Sequence, residues 1–167
     1  MKTCSFFGHR NTEETPMLCE RLKNTVICLI NERGVTRFLF GSASCFDELC
    51  LKIITQLKEE YPEIKRVYVR SDSPYPSGLY KEYLLELYDD TFMPERVENA
   101  GKASYVERNE EMIKASDFCV FYYNEEYKPP LRKSSKNAVF PYQPKSGTAL
   151  AYQYAKQKKK EIINLYE

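Results

Sequence analysis

Lys145-Ser146-Gly147-Thr148 stands directly before a stretch of helical character, and its residue types suit the holding of an anion. Gly147 lets backbone approach closely and Thr148 adds a hydroxyl, while a helix start supplies unpaired amides and the positive end of its dipole. Gly41-Ser42, ahead of the Phe46–Leu57 segment, can form a second cradle of the same kind. On physical grounds alone such a turn is more often an ordinary helix cap. The chain contains neither G-x-x-x-x-G-K-[ST] nor G-x-G-x-x-G, which argues against nucleotide triphosphate hydrolysis and against dinucleotide binding.

The ionisable residues near these turns carry two readings each. His9, the one histidine, can bond a phosphate or base, or can serve the turn it sits in. Arg10 reaches either a phosphate or solvent. Asp47, three residues beyond a capping position, is explained by the helix dipole without any catalytic role. Arg108 falls in the first turn of an expected helix, where a cation is mildly unfavourable and a bound anion would remove the conflict. Tyr122 and Tyr123 end a strand beside the same loops and can stack a base.

Six cysteines include no C-x-x-C pair, and with a single histidine they offer almost no vocabulary for zinc. Reduced, mostly buried thiols are expected, with no metal and no cofactor. The formal charge is +1, yet residues 1–127 hold 16 basic and 22 acidic side chains, while residues 128–167 hold 9 and 2. That balance argues against a broad nucleic-acid surface and suits one local anion. The longest apolar run, Phe118 to Tyr123, is six residues, so no membrane partner is expected, and the start of the chain has no secretory character. A cytoplasmic protein is expected, with a homo-oligomer left open.

The elements that must position these residues alternate between two periods. Strands are expected at 3–7, 37–40, 64–70 and 118–123, with a weak one in 91–97 and a closing one at 162–165. Between them, Thr15-Pro16 opens a helix that Gly34 stops, Phe46 to Leu57 has clean helical spacing, and Leu79 to Tyr88 is helical. Ser104-Tyr105-Val106-Glu107 has capping-box form and opens a helix to about Ser116. A final helix starts at Gly147. This order predicts one α/β domain over residues 1–167, Rossmann-like, with a mostly parallel sheet, helices on both faces and Phe118–Tyr123 central. The loops Gly8–Asn11, Gly41–Ser44, Ser71–Ser73 and Asn124–Thr148 then share the carboxyl edge, where open α/β sheets bind ligands. Residues 124–145, with four prolines, exceed the usual connection length and are expected to be mobile.

Phe6-Phe7-Gly8-His9-Arg10, Gly41-Ser42-Ala43 with Phe46-Asp47, Glu107-Arg108-Asn109-x-x-Met112 with Ser116-Asp117, and Ser146-Gly147-Thr148 occur in one register over nearly the whole chain. Together they resemble the SLOG superfamily, which unites Smf/DprA with the LOG phosphoribohydrolases, and more narrowly its YpsA/YspA-like stand-alone branch. The resemblance implies a Rossmann-like binding or sensor module for a nucleotide or nucleotide-derived phosphorylated ligand. Its ligand-binding set would be Gly8, His9, Arg10, Gly41, Ser42, Ala43, Asp47, Arg108, Asn109, Ser146, Gly147 and Thr148. Arg108 matches the arginine of LOG enzymes, but Asn109 stands where a lysine is usual. Gly147-Thr148 match their glycine turn, but the following glutamate position is Ala151, and a long insertion replaces the doubled glycine. Ligand binding therefore survives the resemblance better than catalysis. The alternative is hydrolysis of the N-glycosidic bond of a nucleoside 5′-monophosphate, with Arg108 and, as a lesser candidate, Asp47 as catalytic groups. Binding of single-stranded DNA is a third, weaker reading.

Overall fold

The computed structural model describes residues 1–42, 44–71, 77–98 and 100–166, the side chain of Lys102 excepted. Strands β1 (Lys2–Gly8), β2 (Val35–Phe40), β3 (Lys65–Val69), β4 (Asp90–Phe92), β5 (Phe118–Tyr122) and β6 (Glu161–Asn164) form one sheet in the order β4-β3-β2-β1-β5-β6. Every neighbouring pair is parallel. The chain steps outward from β1 to β4 on one side, then returns to lay β5 and β6 on the other. The order therefore reverses between β1 and β5, where Gly8 pairs with Tyr122. β1 and β2 take the middle of the sheet. The apolar β5 is an interior strand one place from the edge, because β6 closes beside it.

Among the described residues five α-helices connect the strands: α1 (Pro16–Arg33), α2 (Cys45–Leu57), α3 (Gly78–Leu87), α4 (Ser104–Lys114) and α5 (Gly147–Gln157). Successive strand residues point to opposite faces, so one pleat makes two cores. Phe6, Phe38, Phe40, Phe118 and Val120 pack with Leu22 and Val26 of α1 and with Phe46, Leu49, Ile53 and Leu57 of α2. Phe7, Leu39, Val67, Cys119 and Phe121 pack with Met112 and Ile113 of α4 and Ala151 and Ala155 of α5. Each fully buried large side chain contributes about 1.5–3 kcal/mol. Local chemistry ends α1 as its residues dictate. Thr15 Oγ1 accepts from the Leu18 amide at 3.1 Å, and Gly34 takes the left-handed φ of 73° that stops the helix.

Three expectations are corrected. The segment 91–97 divides into the short strand β4 and a 3-10 turn at Glu95–Val97. Ser104 is the first helical residue of α4 and not its cap, because a 3-10 turn at Gly101–Ala103 runs straight into the helix. The capping box consequently does not form, and the Glu107 carboxylate instead pairs with Arg96. The cysteines divide evenly: Cys4, Cys50 and Cys119 are buried, whereas Cys19 is half-buried and Cys28 and Cys45 are exposed. Burial holds the Cys4 and Cys50 thiols well above their ordinary range and pushes Cys119 up to about 12, so these three behave as small apolar side chains. No helix among the described residues is long and apolar enough to cross a membrane.

Candidate functional site

Gly8 ends β1 against the start of α2. A Cβ placed on it would lie 2.4 to 2.5 Å from Phe46 side-chain carbons, so this glycine is required by packing. The chain then turns outward through His9, whose carbonyl accepts from Thr12 Oγ1 at 2.8 Å, and Arg10, whose carbonyl accepts from the Cys45 amide at 2.9 Å. His9 is buried, and its Nε2 accepts from the Asn124 amide at 2.9 Å. Burial lowers its pKa from the ordinary histidine value. The Arg10 side chain is exposed at the rim.

The turn after β2 is closed by the protein itself. Asp47 Oδ2 accepts from the Ser42 amide at 2.8 Å and from Ser42 Oγ at 2.6 Å, while Ser44 Oγ caps the Asp47 amide at 3.1 Å. With the Cys45 amide bonded to the Arg10 carbonyl at 2.9 Å, the Ser42, Cys45 and Asp47 amides at the start of α2 are already occupied. Asp47 is 3% exposed, and its second oxygen takes no well-formed hydrogen bond among the described residues. Burial pushes its carboxyl up to about 6, against the opposing pull of Ser42, Arg108 and the Gly41 amide. Asp47 thus serves the helix start and is also a carboxylate of shifted acidity.

Arg108 lies across the same turn. A Cβ on Gly41 would meet Met112 Sδ at 2.6 Å and Arg108 Nε at 2.8 Å, so glycine there makes room for the arginine stem. With α4 beginning at Ser104, Arg108 is the fifth helical residue, beyond the first turn, and the dipole conflict expected from sequence is weak. Its burial is the stronger fact: the residue is 3% exposed. Its guanidinium donates to Ser71 Oγ at 3.1 Å and to Asn109 Oδ1 at 3.2 and 3.3 Å, and lies 5.4 Å from the centre of the Tyr105 ring. Ala43, and the loop expectation at Asp72 and Ser73, lie outside the described residues.

The start of α5 is different. Ser146 Oγ accepts from the Ala149 amide at 3.3 Å, and the Ser146 carbonyl takes the Leu150 amide at 3.0 Å. No described residue accepts from the Gly147 or Thr148 amide, and a Cβ on Gly147 would meet nothing within 4 Å. Gly147 borders a cleft of about 170 Å³ between α4 and α5, lined among others by Val106, Asn109, Glu110, Ala151 and Tyr154, with the Glu110 carboxylate paired to Arg96 at 3.0 Å. Asn109 joins this cleft to Arg108. Ala151, 4% exposed, offers no carboxylate to it. The Tyr122 ring is packed on Phe46 and Tyr166, and Tyr123 on Tyr152 and His9.

Contacts therefore link Gly41, Ser42, Asp47, Arg108 and Asn109 on the carboxyl edge, and Asn109 shares its cleft with Gly147. Gly8, His9 and Arg10 adjoin it through α2 and the loop after β5. Sequence reasoning passed over Arg70 as a site residue, a buried cation directly after β3, although it placed the neighbouring Ser71 on this edge. A charged residue closing the apolar Val67-Tyr68-Val69 run was the available signal. Among the described residues no group of three histidine, cysteine or acidic side chains is placed to hold a metal. No protein-family model and no curated protein matches this chain.

Proposed function

We propose that this protein is a binding or sensor module for a nucleotide or nucleotide-derived phosphorylated ligand, taken up at the carboxyl edge of the sheet. One observation carries the reading. The α5 start has open amides and an unencumbered glycine, it faces a cleft, and the buried Arg108 stands behind that cleft through Asn109. Free helix-start amides and a neighbouring guanidinium are the parts from which phosphate sites are made. The cleft is smaller than the roughly 300–1,000 Å³ typical of ligand sites, so it suits a phosphate and its attached group, with the rest of the ligand lying along the open edge. The order reversal between β1 and β5 supports the same location.

The alternative, hydrolysis of a nucleoside monophosphate, has one observation in its favour: Asp47, with its carboxyl at about 6, is in the range of a general acid or base. Its burial and its bonds to Ser42 count against it, as does alanine at position 151. A thermal-shift panel of nucleoside mono-, di- and triphosphates tests the binding reading. Ligand at 100 times its Kd adds about 2.7 kcal/mol, a shift of roughly 5–10 °C for a chain of this size. No shift with any nucleotide overturns it. Rapid release of ribose 5-phosphate from a monophosphate would establish the alternative in its place.

A further inference from the structure

We propose that neutral His9 latches the loop following β5, and that protonation of its ring below neutral pH releases that loop, with the cations it carries, from the carboxyl edge. The inference stands apart from the nucleotide reading, since it concerns a protein–protein bond within the chain. Residues 128–145 contain Lys128, Arg132, Lys133, Lys136 and Lys145 and no acidic residue. Their hydrogen bonds are internal. Arg132 and Tyr142 exchange amide and carbonyl at 3.0 and 2.7 Å, and Gln143 Nε2 donates to the Pro129 carbonyl at 2.7 Å. Among the described residues, the bond from the Asn124 amide to His9 Nε2 is the hydrogen bond that ties residues 124–145 to the rest of the protein.

That bond exists in one protonation state. An imidazole nitrogen accepts only while unprotonated, so the ring proton is on Nδ1. A proton added to Nε2 would point at the Asn124 N–H, donor against donor, in a place where His9 is 6% exposed and water has little access. The Tyr127 and Tyr123 rings flank the imidazole at centroid distances of 4.4 and 5.9 Å; Tyr127 belongs to the segment that would move, whereas Tyr123 is held to Asn164 by two hydrogen bonds of 3.0 Å. They are the titratable groups facing the ring. Arg10 beside it, and Glu125 and Glu126 after Asn124, are exposed. No carboxylate among the described residues lies within ion-pair reach of His9, so nothing compensates an imidazolium there. The Thr12 hydroxyl on the His9 carbonyl fixes the residue from behind, which leaves the loop as the partner that gives way.

Because the chain has one histidine, its imidazole resonances in a ¹H–¹⁵N NMR titration are assigned without ambiguity. The expected result is an Nδ1–H tautomer at pH 7.5, with a midpoint below the ordinary 6.5. The same titration, followed by hydrogen exchange corrected for intrinsic rates, should show the Asn124 amide losing protection by roughly tenfold per pH unit below that midpoint. Exchange in β1 and β2 should stay unchanged. His9→Gln, which can accept the same bond without titrating, should keep the loop protected at pH 5, whereas His9→Phe should leave it unprotected at both pH values. An Nε2–H tautomer, a midpoint at or above 6.5, core strands opening together with the loop, or the wild-type pH slope in His9→Gln would each overturn the latch.

Discussion

Gly8 and Gly147 are the same residue type at turns on the same sheet edge, and they are there for opposite reasons. A Cβ at Gly8 would drive into Phe46, whereas one at Gly147 would enter open space. Gly8→Ala should therefore lower the urea midpoint by the equivalent of about 1–3 kcal/mol, the usual cost of overpacking. An unchanged midpoint would mean that Phe46 has room to retreat. Asp47 gives a second residue-level outcome. Its folded pKa, about 6, lies above the unfolded value near 3.9, so folding takes up a proton between them. Stability from this group is greatest below pH 4 and declines as pH rises through 6, by on the order of 3 kcal/mol. Denaturant titrations at stepped pH should show Asp47→Asn removing that decline. An identical pH profile in the variant would show that the carboxyl titrates normally. The residue types of the site were legible in the sequence. Which glycine has a neighbour was not, because Phe46 and Arg108 reach Gly8 and Gly41 only through the sheet and helix packing.

Two helix starts, α2 and α5, look alike as Gly-Ser and Ser-Gly-Thr turns, and at the level of elements they part company. At α2 the Cys45 amide is taken by Arg10, the Asp47 amide by Ser44 and the preceding Ser42 amide by Asp47. α5 keeps the Gly147 and Thr148 amides open. A side chain added at Gly147 starts from a Cβ in open space, and a carboxylate there would sit by those amides and the positive end of the helix dipole. Gly147→Asp should thus stabilise the ligand-free protein by about 0.3–1 kcal/mol, with some further gain from a less flexible unfolded chain. A fall in melting temperature would show that the start of α5 is not open. Helices and strands with strong periodicity were legible to within a residue or two, since a buried stripe is a property of spacing. The capping box at Ser104 misled because nothing local announces the 3-10 turn at Gly101–Ala103. Likewise β4 was blurred: three residues at a sheet edge make too short a pattern.

The whole molecule is a sheet whose strand order reverses between β1 and β5, and that reversal decides where its loops meet. The order of elements was enough to foresee a parallel α/β sheet with its loops sharing one carboxyl edge, because right-handed crossovers leave little choice. It was not enough to foresee that the Gly147 and Thr148 amides stay open at α5, or that the Asn124 amide bonds to His9. Both depend on contacts between residues more than 30 positions apart. The central claim is that a phosphorylated ligand sits on the open amides of α5. Calorimetric titration of the tightest nucleotide from the panel into wild-type protein and Gly147→Asp tests it directly. Saturable one-site binding to the wild type is expected, with at least a tenfold loss of affinity in the variant, which remains folded and no less stable. Equal affinity in the two proteins would contradict it.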